Sequence, residues 1–211
     1  MLTGKSVDGM HNYKLIRYPL NAASSTTDLD AKATRFDLLL LEMVDLIRDR
    51  WGYVHTERFA LTGYSGGAQV GLPSRAEAKA NPQFAHRFFY LHPHRIYALS
   101  VGAPGAATPI SSCLPWPRGI SDTQRYFDMN VDVSSLRSIP THLVVGLEDK
   151  WKPVANDGSV PKINRIETMR MLRDDWRGNG LEVEYDEIEG VAHAETGVMD
   201  VVQGFILRHL R

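Results

Sequence analysis

A serine framed by glycines, Gly63-Tyr64-Ser65-Gly66-Gly67, follows directly on the short apolar run Arg58-Phe59-Ala60-Leu61-Thr62. Chemistry is available there if the chain turns sharply from a strand into a helix. Side chains two residues before and after the serine would collide with their neighbours, which is the reason for glycine at both places. A hydroxyl held in that way stands at a helix N-terminus, where backbone amides can stabilise an oxyanion. A histidine and an acid are needed to turn the hydroxyl into a nucleophile. Candidates for both lie further along the chain, Asp149 after the run Thr141-His142-Leu143-Val144-Val145-Gly146, and His193 in the loop Gly190-Val191-Ala192-His193-Ala194. The chemistry would be acyl transfer through a covalent serine ester.

These residues must be positioned by strands. Residues 140–146 form an apolar, β-branched run opened by a proline and closed by a glycine, the pattern of a buried strand. Residues 181–188 alternate with a period of two, and residues 96–101 read as another buried strand. Ser65, Asp149 and His193 each fall just past the C-terminal end of an expected strand, where an open parallel sheet places its ligands. The order serine, acid, histidine along the chain separates one kind of triad from the other convergent ones. Glu148 is the alternative acid, one residue earlier and so pointing differently from the strand end.

Between the strands come helices. Residues 34–51 carry Phe36, Leu39, Leu40, Met43, Leu46 and Ile47 at three- and four-residue spacing, with Thr34 as expected N-cap and Gly52 as terminator. Residues 163–177 and 198–210 read as two more helices, the first stopped by Gly178-Asn179-Gly180. Strands separated by helices call for a mostly parallel sheet with helices on both faces.

Taken together, these stretches resemble an α/β-hydrolase, from about residue 12 to the C-terminus, and are most similar to small microbial serine esterases of the polyester-depolymerase and dienelactone-hydrolase type. The resemblance is carried by His11-Asn12-Tyr13-Lys14-Leu15-Ile16, by the glycine-framed serine, by Phe84-Ala85-His86-Arg87-Phe88-Phe89-Tyr90-Leu91-His92-Pro93, by Ser100-Val101-Gly102-Ala103-Pro104-Gly105, and by Val145-Gly146-Leu147-Glu148-Asp149. It implies Ser65 as nucleophile, His193 as general base, Asp149 as the group that orients the imidazole, and the Gly66 amide as an oxyanion donor. It implies a small-molecule ester as substrate, with neither metal nor organic cofactor. Retention of the three triad residue types does not by itself establish activity, so the alternative is a catalytically inactive hydrolase-fold protein or truncated gene product acting, if at all, as a binding module.

Two departures from the family pattern bear on activity. Only 64 residues precede Ser65, whereas such folds spend roughly a hundred on early strands and on the loop that gives the second oxyanion amide. One strand is legible among them, over residues 13–18, and there is no His-Gly-Gly segment; Thr3-Gly4 and Asp8-Gly9 are poor substitutes. The expectation is one partial domain over residues 1–211, N-terminally truncated and lacking the early strands; a minimal sheet of about five strands is the alternative. The second departure is residues 70–83, which interrupt the helix expected after Ser65 with Pro73 and Asn81-Pro82. They read as an insertion. It opens on a valine, whose codons begin GT, and closes on a glutamine, which CAG encodes, so an unspliced in-frame intron fits the boundaries as well as an ordinary loop does.

Residues 102–133 are rich in proline and glycine and are expected to form an irregular, lid-like segment. Trp116, with Tyr126 and Phe127, is expected either to line an acyl pocket or to anchor that segment. His86, His92 and His94 match no metal-ligand spacing and are expected at a helix surface and a turn. A net charge of −1 gives no electrostatic reason for a nucleic-acid or anionic-membrane partner. One cysteine, Cys113, excludes an intramolecular disulfide. Met1-Leu2-Thr3-Gly4-Lys5 opens no apolar signal segment, and the longest apolar run, residues 38–41, is too short for a bilayer. The expected location is cytoplasmic.

Overall fold

The computed structural model describes residues 35–52, 57–65, 84–105, 107–152 and 163–210. Four strands form one sheet: β1 (Phe59–Tyr64), β2 (Ile96–Gly102), β3 (Thr141–Gly146) and β4 (Val183–Ile188), ordered as in the chain. Every pair is parallel. The central strands are apolar runs because both faces are covered: all six residues of β3 are buried, and so are all of β2 except Tyr97. The flanking β4 has one buried residue, Val183. The strand expected over residues 13–18 and the insertion at 70–83 lie outside the described residues.

Helices cover both faces. Helix α1 spans Phe36–Arg50, α2 Phe84–Leu91, α3 Thr123–Phe127, α4 Val133–Leu136, α5 Arg165–Gly178 and α6 Met199–His209. A side-chain link joins α2 and α5 in the core, where the buried Trp176 Nε1 donates to Tyr90 Oη at 2.7 Å. Tyr90 Oη in turn donates to the Thr108 carbonyl at 2.6 Å, so neither polar atom is buried without a partner. On α6, the Phe205 ring stacks on His142 of β3 with centroids 5.0 Å apart.

Helix α1 departs from its expected orientation. Arg35, not Thr34, occupies the cap position, and its guanidinium turns into the helix to pair with Asp37. Asp37 is fully buried and accepts from His92 Nε2 at 2.7 Å. That polar cluster decides which side of α1 meets the body, with Leu40 and Leu41 packed beside it. Leu39, Met43, Leu46 and Ile47, expected to face inward, are exposed. The same cluster corrects the expectation for the histidines. His92 is buried, and His86 is fully buried within α2, accepting from the Thr108 amide at 3.1 Å; only His94 is exposed.

Apart from α3, the described residues of 102–133 are irregular and tied down. The buried Arg87 Nε donates to Thr108 Oγ1 at 2.8 Å, and Thr108 Oγ1 donates to the Pro117 carbonyl at 2.7 Å. The Ile110 amide donates to Asp175 Oδ2 of α5 at 2.8 Å.

Candidate active site

Three strand ends supply the site. Ser65 follows β1 with φ +57°, a left-handed conformation unusual for a residue with a side chain. Its amide donates to the Gly102 carbonyl at 2.8 Å, which ties the turn to the end of β2. A side chain at Gly63 would put its Cβ 2.7 Å from Cβ of Ala85 on α2. The glycine two residues before the serine is therefore required by the approach of a helix, where the sequence pattern suggested a clash with backbone. Gly66 and Gly67 lie outside the described residues.

Asp149 follows β3 in a turn closed by its amide on the Gly146 carbonyl at 3.0 Å. The loop after β4 crosses over this turn: the Leu147 amide donates to Ile188 O at 2.9 Å and the Glu148 amide to Val191 O at 2.8 Å. Gly146 permits the crossing, because a Cβ there would stand 2.2 Å from the Val191 carbonyl oxygen. The crossing loop brings His193 over the other two side chains. His193 Nδ1 lies 2.6 Å from Asp149 Oδ2, and His193 Nε2 lies 2.8 Å from Ser65 Oγ.

Burial alone would push the Asp149 carboxyl up, but the His193 hydrogen bond and the charge and hydrogen bond of Arg165 outweigh it and hold the carboxyl below its ordinary value. An ionised carboxylate only accepts, so the hydrogen on the 2.6 Å contact belongs to His193 Nδ1. His193 Nε2 is left as the acceptor for the Ser65 hydroxyl. Tyr64 packs its ring 5.3 Å from the imidazole, and burial raises its phenol to about 12, so it stays neutral. A cleft of about 180 Å³ opens over Tyr64, Ser65, His193 and Glu195. A larger one, about 240 Å³, lies at the opposite end of the sheet beside Thr141 and Val183, away from these groups.

Trp116 is not brought to this cleft. It is buried edge-on against Phe127 with centroids 5.0 Å apart, beneath the Arg87 guanidinium, and anchors its segment to the body. Of the two placements expected for it, a pocket wall or an anchor, its contacts are those of an anchor. Glu148 points away and pairs with Lys150. Sequence reasoning missed Arg165, whose Nη1 donates to Asp149 Oδ1 at 2.8 Å. An arginine opening a helix carries no periodic signal that would have singled it out.

A second serine, histidine and aspartate also line up. Ser100 Oγ lies 2.8 Å from His142 Nδ1, and His142 Nε2 lies 3.1 Å from Asp186 Oδ2, across β2, β3 and β4. Ser100 and His142 are fully buried, with Phe205 over the imidazole. No substrate can approach that hydroxyl, so the row cross-links strands and does no chemistry. Among the described residues no group of three or more histidine, cysteine or carboxylate side chains is arranged to hold a metal ion. No helix among them is long and apolar enough to cross a membrane.

A parallel sheet flanked by helices, with a left-handed serine at the end of one strand, is the α/β-hydrolase fold. Two solved structures share it. The chain is 18% identical to poly(aspartic acid) hydrolase-1 from Sphingomonas sp. KT-1 with a TM-score of 0.58, and 19% identical to a poly(3-hydroxybutyrate) depolymerase from Bordetella parapertussis with a TM-score of 0.58. Each alignment covers 82% of this chain, but the chain spans only 63% and 56% of those two proteins. No protein-family model matches the chain, and no curated protein sequence does either.

Proposed function

We propose that this chain is a serine hydrolase that cleaves a small carboxylic ester through an acyl-enzyme. One observation carries the reading: the unbroken chain of contacts from Ser65 Oγ through the His193 imidazole to the Asp149 carboxylate, 2.8 Å and 2.6 Å long at its two links. His193 takes the Ser65 proton as the oxygen attacks the ester carbonyl. Asp149 holds the tautomer and stabilises the imidazolium that forms. The negative charge on the former carbonyl oxygen is met by the amide of Gly66, the residue after the nucleophile. The imidazolium then protonates the departing alcohol. Water, deprotonated by the same imidazole, attacks the acyl-serine, releases the carboxylic acid and restores the hydroxyl. No step calls for a metal or an organic cofactor.

A fluorophosphonate probe followed by peptide mass spectrometry tests this reading. The expected result is one adduct, on Ser65, absent from Ser65→Ala and reduced in rate on the order of a millionfold by His193→Ala. A folded protein that takes no adduct, or takes it elsewhere, overturns the reading in favour of an inactive binding module. The name of one structural neighbour, a poly(3-hydroxybutyrate) depolymerase, makes short 3-hydroxybutyrate oligomers reasonable substrates to assay beside p-nitrophenyl acetate.

A further inference from the structure

Arg165 touches both supporting members of the site. It is the first residue of α5, where Asn164 caps the helix: Asn164 Oδ1 accepts from the Glu167 amide at 2.9 Å, and the Asn164 amide donates to Glu167 Oε2 at 2.6 Å. The Arg165 amide donates to the Trp151 carbonyl at 3.2 Å, and its guanidinium carbon sits 4.4 Å from the centre of the Trp151 ring. Cap, backbone and ring fix a side chain that would otherwise be free to leave. It is only 7% exposed, beside an Asp149 side chain that is 1% exposed.

The contacts made from that position are unusual. Arg165 Nη1 lies 2.8 Å from Asp149 Oδ1 and 3.1 Å from His193 Nδ1. Nδ1 already carries the hydrogen it gives to Asp149 Oδ2 at 2.6 Å, and a nitrogen that donates that hydrogen cannot also accept one from arginine. The 3.1 Å contact is therefore two N–H groups side by side, each bonded to its own oxygen of a single carboxylate. Asp149 is shared between a permanent cation and a group that becomes cationic during the reaction. The other groups facing the imidazole are Ser65 and the neutral Tyr64 from the end of β1, and Glu195 from the turn that follows His193.

We propose that Arg165 is a positioning residue of this site, holding Asp149 as the anionic acceptor for His193 Nδ1 while opposing a second proton on the imidazole. The inference rests on the hydrolase reading above. Its consequence is a trade. The guanidinium steadies the carboxylate that seats the imidazole, and its charge opposes the imidazolium formed during acyl transfer.

The test measures the second-order rate of fluorophosphonate labelling at Ser65 from pH 5 to 9, in the wild type, Arg165→Met, Arg165→Gln and Arg165→Lys. The two neutral variants are expected to lose reactivity on the acid side at a higher pH than the wild type. Arg165→Lys, which restores a charge, is expected to recover most of that difference. Loss of packing alone would lower the amount of active protein without moving the acid limb. The same displacement is read independently of turnover from the 15N resonances of His193, measured in whichever neutral variant is the more stable. An acid limb that stays in place in folded neutral variants overturns the inference, as does a lysine variant that shifts as far as methionine. A wild type that takes no label on Ser65 overturns the hydrolase reading itself, a result distinguishable from either.

Discussion

Replacing Gly146 by alanine would disturb the site without touching any residue that does chemistry. The added Cβ would sit 2.2 Å from the Val191 carbonyl oxygen and 2.7 Å from that of Ala192, where ordinary contact begins at 3.4 Å. Both obstacles are backbone, so the crossing loop must retreat by about 1.2 Å. His193 lies two residues past Val191 and moves with it. Contacts of 2.6 Å to Asp149 and 2.8 Å to Ser65 would then stretch beyond hydrogen-bonding range. Overpacking of this kind costs about 1–3 kcal/mol of stability, which a domain of this size survives. Misplacing a base by about 1 Å costs on the order of a hundredfold in rate. The assay compares labelling of Ser65 and hydrolysis of p-nitrophenyl acetate in Gly146→Ala with the same rates in Gly178→Ala, where an added Cβ meets none of the described residues within 4 Å. The control should match the wild type in rate. A folded Gly146→Ala protein within about threefold of the wild type would refute the argument that this glycine exists to seat the histidine.

Ser100→Ala should leave Ser65 labelling unchanged and lower stability by about 1–3 kcal/mol in a urea melt, since it strips a buried partner from His142. Asp37 gives an acid-dependent term. Burial raises its carboxyl, but hydrogen bonds from Arg35 and His92 and the Arg35 charge bring it down to about 2 from an ordinary 3.8. The unfolded chain therefore takes up the proton first as the pH falls. The resulting stabilisation, about 2 kcal/mol, is complete above the ordinary value and disappears between about pH 4 and pH 2. Asp37→Asn should flatten that part of the stability profile, as urea melts across the interval would reveal. Gly204→Ala, inside α6, where among the described residues only Arg208 Nη1 comes near the new Cβ at 3.7 Å, should stabilise by about 1 kcal/mol and raise the melting temperature by about 2–4 °C.

The strands were legible because the interior of a parallel sheet demands unbroken apolar runs, and Thr141–Gly146 is one. Chain order and the position of each group past a strand end pointed to Ser65, Asp149 and His193, and the structure brings those three side chains into one row. Polar burial was not legible. His92 and Asp37 are 55 residues apart, and His142 and Asp186 are 44 apart. Nothing in the local spacing of either pair reveals that a partner waits across the fold. Helix α1 illustrates the cost of reading periodicity alone: its apolar stripe predicted one inward face, and a buried carboxylate selected another. Whether Trp116 lines a pocket or anchors its segment was left open by the sequence, because the residues that surround it, Arg87 and Phe127, come from other elements.

The crossing of the loop after β4 over the end of β3 also sets a schedule. Parallel neighbours cannot pair as hairpins; each must wait for the crossover segment between them. Ser65 and His193 are 128 residues apart, and the imidazole arrives only when β4 has docked on β3 and its loop has been laid across Gly146. A hydroxyl able to react with a phosphonate is thus a report on the completed fold. During refolding, probe reactivity should appear after helical circular dichroism has returned. On gentle denaturation it should vanish while the central strands still hold, because a short loop opens at less cost than a sheet.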